Sequence, residues 1–352
     1  MNQQYGQPDE VHGVQKVTAA PSFALFEILM GQWIARCVQV AANLGVADAL
    51  GDSPKSVEEL AQATDTHAPT LYRLLRSLAS RGIFTEVRPG YFAQTELSAV
   101  LRSNQPGSLN ALVRTYGSEW QWRAWGDLEY SIRTGKAAAE HVLGQRLFEY
   151  LKTHPQDIKL YQQGLTSVSE IINKTLAHVY DFSSFDTLVD VGGGHGSLLM
   201  TILASYPNLR GTLFDQAQVI EHAREHIASG VSERMHLVAG DFFVSVPEGG
   251  DAYLLKQVLH DWSDEDCIRI LKACRQAMKP SSKLLVIDPI VQPDEGPETT
   301  FAKLTDLLML VVHAGRERTA AEFARLFASS GFKLNRIIST ESPVGIAEGI
   351  PV

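Results

Sequence analysis

The 352-residue chain contains only three cysteines, Cys37, Cys267 and Cys274. That is too few for a disulfide framework. Cys267 and Cys274 lie seven apart on an expected helix, with no His or Cys at a zinc spacing, so a structural zinc site has no ligands to draw on. The three read as small buried hydrophobes in a reducing compartment. Positive charge is also scarce. Lys and Arg total 31 against 40 Asp and Glu, a net charge of −9, which does not suit broad binding of a phosphate backbone. The polar, acidic start MNQQYGQPDEVHG has no basic segment followed by an apolar one, so it does not read as a signal peptide. Long uninterrupted apolar runs are missing too. The most apolar stretch, Phe23 to Leu50, is broken by Glu27 and Arg36 and reads as buried helix rather than membrane span. Internal repeats and low-complexity tracts are absent. These absences lead to the expectation of a soluble cytoplasmic protein, and the length makes two domains the natural division.

What is present changes character near residue 185. Before it, helical periodicity dominates. Residues 22–50 read as helices apolar on most faces, which demands burial and suggests a partner subunit. Ser56 begins a Ser-x-x-Glu capping box with Glu59. A helix is expected over Pro69 to Gly82, then a hairpin from Ile83 through Arg88, Pro89 and Gly90 to Thr95. Helix, turn, helix, hairpin is the order of a winged helix-turn-helix, so DNA binding has to be weighed. Residues 12–110, however, hold eight basic and eight acidic side chains. A neutral segment on an acidic protein is a poor DNA binder. Residues 111–185 are helical and aromatic, and Trp120, Trp122 and Trp125 read either as core or as the wall of a pocket for a flat ligand.

After residue 185, short Val/Leu/Ile runs alternate with amphipathic helices, the signature of a parallel sheet. Strands are expected at 187–191, 211–215, 235–239, 252–256, 283–288, 332–339 and 343–348, with a helix from Ser263 to Met278. Seven strands with intervening helices make a doubly wound α/β domain, which binds ligands beyond the carboxyl ends of its strands.

Three loops at those ends carry chemistry. Leu188 to Leu199, LVDVGGGHGSLL, is a buried strand, a glycine turn and a helix start. It lacks the G-x-G-x-x-G dinucleotide spacing and any G-x-x-x-x-G-K phosphate loop. It reads instead as Gly192-x-Gly194-x-Gly196 preceded by Asp190, with His195 incidental to the turn. Asp215 ends the second strand, where a carboxylate can accept both hydroxyls of a ribose. Asp241 follows the third, where it can accept from an adenine amino group with Phe242 covering the ring. Singly, each acid could equally cap a helix or a turn. Together the three loops have the arrangement of an S-adenosylmethionine site of class I methyltransferases. The fourth strand ends at Lys256, and His260, Asp261 and Trp262 fall between it and Ser263, which with Asp266 reads as a capping box.

The chain resembles the small-molecule O-methyltransferases typified by plant caffeate and isoflavone enzymes and bacterial antibiotic and phenazine enzymes. The matching stretches are Val189 to Gly196, Phe214-Asp215, Gly240 to Phe243, Leu255 to Cys267 and Gly315 to Thr319. The resemblance implies a Rossmann-like seven-stranded methyltransferase domain (186–352), a mainly α winged-helix dimerisation domain (1–110) and a helical linker contributing to the substrate pocket (111–185). It implies that Gly192, Gly194, Asp215, Asp241, Phe242, Lys256 and Trp262 hold S-adenosylmethionine. It further implies His260 as general base, Glu317 against its ring, Asp261 as a substrate or cofactor contact, and an intertwined homodimer. The family usually has Glu at the end of the fifth strand; here Asp288 stands there, one methylene shorter. By position, Trp120, Phe148, Met309, Val312 and His313 are candidates for the substrate pocket or for plain core.

Methyl transfer to a hydroxyl needs alignment and removal of a proton. A phenol near pKa 10 and a free His near 6.5 differ by about 3.5 units, or about 5 kcal/mol. A carboxylate at Glu317 would narrow that gap, whereas an aliphatic alcohol near pKa 16 would widen it greatly. A phenol or enol acceptor is therefore expected. Two other readings compete: the same fold and cofactor used for decarboxylation, hydroxylation or cyclisation, and a ligand-responsive DNA-binding regulator. A metal-dependent catechol methyltransferase would need an Asp/Asn cluster that the sequence lacks.

Overall fold

The computed structural model describes residues 20–103, 105–294 and 297–352. The N-terminal stretch read against a signal peptide lies outside them.

Helix Pro21–Asn43 opens the described chain and is followed by the short helix Val46–Leu50. The Ser56 capping box forms with both its hydrogen bonds and starts helix Val57–Ala63. Helix Ala68–Ala79 buries Leu71, Leu75 and Leu78 along one face. Strands β1 (Lys55–Ser56), β2 (Phe84–Arg88) and β3 (Tyr91–Gln94) make a small antiparallel sheet in the order β1-β3-β2. Phe84 and Phe92 pack from it into the core formed by these helices. The winged arrangement anticipated from the sequence is present.

Helix Pro21–Asn43 behaves differently from a core helix. Phe23, Leu25, Phe26, Ile28, Leu29 and Trp33 are all exposed, Ile28 by 74%. It is also the one helix among the described residues long and apolar enough to cross a membrane. Such a surface is left bare in a single chain and calls for a cover.

A series of helices from Asn110 to Val179 leads to the second layer structure. There, β4 (Thr187–Val191), β5 (Arg210–Asp215), β6 (Met235–Ala239), β7 (Ala252–Lys256), β8 (Lys283–Asp288), β11 (Phe332–Ile338) and β12 (Gly345–Pro351) form one sheet in the order β11-β12-β8-β7-β4-β5-β6. The two-residue strands β9 (Ile290–Val291) and β10 (Arg318–Thr319) pair in parallel beside it. Apolar clusters cover both faces, one around Leu199, Ile202 and Leu254, the other around Leu255, Ile270 and Phe323. That two-sided burial explains the near-continuous apolar runs of β7 and β8.

The sheet is not parallel throughout, as the alternating pattern had suggested. β12 runs antiparallel between β8 and β11. Only residues 339–344 separate β11 from β12, too short for the crossover a parallel neighbour needs. Along the sheet, β4 pairs with β5 on one side and β7 on the other. The strand order therefore reverses at β4/β7, and the cleft beyond their carboxyl ends is the expected ligand position.

Candidate active site

The chain leaves β4 through three glycines at positive φ, Gly192 (69°), Gly194 (60°) and Gly196 (78°), before helix Ser197–Ser205. Positive φ is costly for any side-chain-bearing residue. At Gly192 space is limiting as well, since a Cβ would stand 2.9 Å from Val258 Cγ2. Nothing lies within 4 Å of a Cβ built at Gly194, so the turn is open there. Asp215, ending β5, holds the turn: its Oδ2 accepts from Gly194 N at 2.9 Å and its Oδ1 from Gln216 N at 2.7 Å. A carboxylate has about four acceptor positions, so roughly two remain for a ligand. Asp241 is exposed and accepts from Phe243 N at 2.8 Å. It is thus a turn residue, with its other oxygen available. Phe243 and Trp262 pack edge to face at 4.8 Å, and Phe242 meets Trp262 at 6.1 Å. These rings can wall a flat aromatic ligand beside the glycine turn.

Beneath the turn, against Gly193, lies the carboxylate of Asp190. Asp190 is fully buried, and neither of its oxygens has a hydrogen-bond partner among the described residues. Burial pushes its carboxyl up to about 7, the Lys256 charge opposing and the Asp215 charge adding. Burial likewise brings Lys256 down to about 8, with Asp190 opposing. Lys256 Nζ donates to Ser169 Oγ at 2.7 Å. Four residues further along the same helix, Pro155–Val179, buried Asn173 donates to Ser197 Oγ at 2.9 Å. Ser169 and Asn173 were missed in the sequence. Their i, i+4 spacing puts both on one face, but nothing in sequence says that this face meets the glycine turn.

His260 sits on a single 3-10 turn, Leu259–Asp261, between β7 and helix Asp264–Ala277. Ser263 caps that helix by accepting from Asp266 N. The return bond of the expected capping box is not made; the Asp266 carboxylate instead accepts a hydrogen bond from Ser263 Oγ at 3.4 Å and pairs with Arg269. His260 Nδ1 is 3.1 Å from Glu317 Oε1, a side chain only 1% exposed. On the other side of the ring, Nε2 is 3.7 Å from Asp261 Oδ1, which is itself 3.9 Å from His313 Nε2. Burial alone would lower the His260 pKa. The charges of Asp261, Glu317 and Asp288 outweigh it and raise the imidazole to about 10. Glu317 is pushed up by burial against the opposing pull of His260. A hydrogen bond from Glu317 N to Asp306 Oδ1 (2.9 Å) fixes the backbone there.

Asp288 is fully buried at the end of β8, yet its carboxylate oxygens make no hydrogen bond to His260 or to any other described residue. The shorter side chain falls short of the ring and acts on it only through space. Burial raises its carboxyl to about 7, His260 pulling the other way.

Trp120 and Val312 are 2% and 5% exposed and pack in one apolar cluster with Ala124, Leu147 and Val311. Phe148 is half exposed and stacks on His313 at 5.1 Å, and Met309 is partly exposed on the same helix as His313. Tyr161, unnoticed in the sequence, packs edge to face on Trp120 at 6.3 Å. Burial and the Asp261 charge both raise its hydroxyl. Pairwise contacts thus link Phe148 to His313, His313 to Asp261 and Asp261 to His260.

Comparison with known proteins places this geometry. A family model described as the O-methyltransferase domain matches residues 125–333, and one described as the O-methyltransferase dimerisation domain matches residues 26–104. The chain is 44% identical to a phenazine O-methyltransferase of Lysobacter antibioticus, covering 94% of this chain and 96% of that one. It is 40% identical to a mitomycin biosynthesis 6-O-methyltransferase of Streptomyces lavendulae, covering 94% and 95%. Among solved structures, a methyltransferase of calicheamicin biosynthesis in its SAH-bound form matches with a TM-score of 0.86 at 37% identity, covering 94% of this chain and 98% of that one.

Proposed function

The chain belongs to the O-methyltransferase family and is an S-adenosylmethionine-dependent O-methyltransferase; from that premise we propose that it methylates a phenolic or enolic hydroxyl of a small secondary metabolite, with His260 as the base. The observation that carries this reading is the His260–Glu317 pair, 3.1 Å apart on a turn at the carboxyl end of β7.

The residues present fit the cofactor. Asp215 keeps free acceptor positions for ribose hydroxyls after holding Gly194. Asp241, Phe242 and Trp262 suit an adenine, and Gly192, Gly194 and Lys256 line the approach from the turn. When bound, S-adenosylmethionine supplies a methyl group on a positively charged sulfur. The cleft's acids, Asp190, Asp215, Asp261, Asp288 and Glu317, favour a cation there.

Glu317 fixes the His260 tautomer by accepting a hydrogen bond from Nδ1–H, which leaves Nε2 to receive the acceptor's proton. At about 10, the His260 pKa matches that of an ordinary phenol, near 10. The acids around the ring thus narrow the gap of about 5 kcal/mol for a free imidazole. A second cation bound in the cleft works against the imidazolium and frees His260 to act near neutral pH. Phe148, His313 and Tyr161 hold a flat ring, and Asp261 accepts from a polar substituent on it.

The same reading divides the chain into a winged-helix dimerisation domain (1–110), a helical linker (111–185) and the cofactor-binding domain (186–352). It covers helix Pro21–Asn43 with a second subunit, not a membrane, in a cytoplasmic homodimer that binds no nucleic acid. The test is a panel of phenols, enols, aliphatic alcohols and aromatic amines incubated with labelled cofactor and read by mass. Phenols or enols should gain one methyl group. Products that arise only from amines or aliphatic alcohols, or that lose carbon dioxide without gaining a methyl group, would refute the reading.

A further inference from the structure

The motif Gly315 to Thr319 contributes more than Glu317. A Cβ at Gly315 would stand 2.1 Å from His260 O, so only glycine lets this segment lie against the His260 turn. Arg316 N donates to that same oxygen at 2.9 Å. Arg318, in turn, is 1% exposed, a fully buried guanidinium. Its Nη1 donates to Leu259 O at 3.0 Å and its Nη2 to Trp262 O at 3.0 Å. These carbonyls flank His260 and Asp261 on either side. The fork is closed by Asp264 Oδ1, which accepts from Nε at 3.0 Å and Nη2 at 2.8 Å, and by Cys267 Sγ at 3.4 Å from Nη2.

We propose that Arg318 is a positioning residue for methyl transfer, its planar fork setting the turn that carries His260 and the Trp262 ring together. This rests on the function proposed above. The turn has only two i→i+3 backbone hydrogen bonds of its own, Asp261 N to Val258 O at 3.3 Å and Trp262 N to Leu259 O at 3.2 Å, and such bonds have poor geometry, so external anchors matter. Arg318 satisfies the carbonyls at both its ends without facing the cleft. Because Trp262 packs on Phe243, releasing the fork should disturb the aromatic wall as well as the base. A lysine offers a point charge without the fork and can satisfy one carbonyl at a time.

The experiment compares Arg318→Lys, Asp264→Asn, His260→Ala and the parent enzyme as intact chains. It reads thermal midpoint, S-adenosylhomocysteine affinity by calorimetry, and kcat and KM across pH. Arg318→Lys should lower kcat by about 10- to 100-fold, weaken S-adenosylhomocysteine several-fold and move the acid limb of the kcat profile, with acceptor KM changed less than kcat. If Arg318→Lys does not fold, Asp264→Asn decides, because Asp264 is half exposed and its replacement removes the charge that holds the Nε and Nη2 edge of the fork while leaving Nη1 on Leu259 O. It should give the same pattern at roughly a third of the size or more. A folded Arg318→Lys, or failing that a folded Asp264→Asn, with parental kcat, affinity and pH profile overturns the proposal. If instead His260→Ala retains parental turnover, the function proposed for His260 fails, whatever Arg318 does.

Discussion

Replacing Glu317 by Gln keeps the shape and a hydrogen-bonding group at His260 Nδ1 and removes one negative charge. At 3.1 Å and an effective dielectric constant of about 20, the attraction lost is roughly 5 kcal/mol before desolvation is subtracted. Burial of both groups takes back much of it, and opposite charges this close typically move a pKa by roughly 1–3 units. Asp261, 3.7 Å away, and the buried Asp288 remain. His260 should therefore fall from about 10 by roughly 1–3 units, without dropping below the free value near 6.5. The sign follows from which form the carboxylate favours. Glu317 stabilises the imidazolium, so its removal eases deprotonation. The assay is a titration of the ligand-free protein with isotopically labelled histidine, the His260 signal being assigned by its loss in His260→Gln. Despite a better-populated base, kcat at neutral pH should fall about 10- to 100-fold, because a neutral amide neither fixes the tautomer nor supports the cation formed on proton transfer. A His260 pKa unchanged or raised in Glu317→Gln would refute the assigned pairing.

Removing the imidazole itself in His260→Ala should cut turnover by about 10²- to 10⁴-fold while calorimetry shows nearly unchanged cofactor affinity. Asp215→Ala should weaken S-adenosylmethionine by roughly 10- to 100-fold, the worth of one or two hydrogen bonds to a charged group; an unaltered titration would remove Asp215 from the cofactor site. Asp288 has a folded pKa near 7, above its unfolded value of about 3.9. The native state therefore binds the extra proton, and stability falls as pH rises between those two values; Asp288→Asn should flatten the thermal midpoint over that window. Ile28→Glu, on the exposed apolar helix, should convert a dimer into a monomer in light scattering, and a species of unchanged mass would show that another surface joins the subunits.

Much of this was legible in the sequence, for a physical reason. The sheet strands bury both faces and so read as apolar runs; β4, β6, β7 and β8 start and stop where their composition says. Gly192, Asp215 and His260 were legible because each breaks a local rule at a strand end. The less legible parts depend on packing between distant segments. Nothing local distinguishes β12 as antiparallel, except that six residues cannot carry a crossover. Trp120 and Val312 carry the same side chains whether they wall a pocket or fill a core, and only the neighbouring helices decide. Ser169 and Asn173 sit on an ordinary amphipathic helix, and their partners Lys256 and Ser197 are 87 and 24 residues away. The Ser263–Asp266 spacing predicts a reciprocal box, but a short Asp side chain does not return to the backbone and takes Arg269 instead.

The charge arrangement explains why a chain places a base and several acids where a plain connection would fold as well. An isolated imidazole in water holds its proton too weakly to take one from a phenol at low cost. Burial makes this worse, because it disfavours the cation. Three carboxylates reverse the sign, each held differently: Glu317 by hydrogen bond, Asp261 across the open face of the ring, Asp288 through space from the strand end. Their combined negative charge would leave the base permanently protonated unless a cation came to share the cleft. On the function proposed above, a positively charged cofactor in the cleft would oppose the imidazolium and favour the free base. On that same reading, the acids that raise the His260 pKa would also favour binding of the positively charged methyl donor.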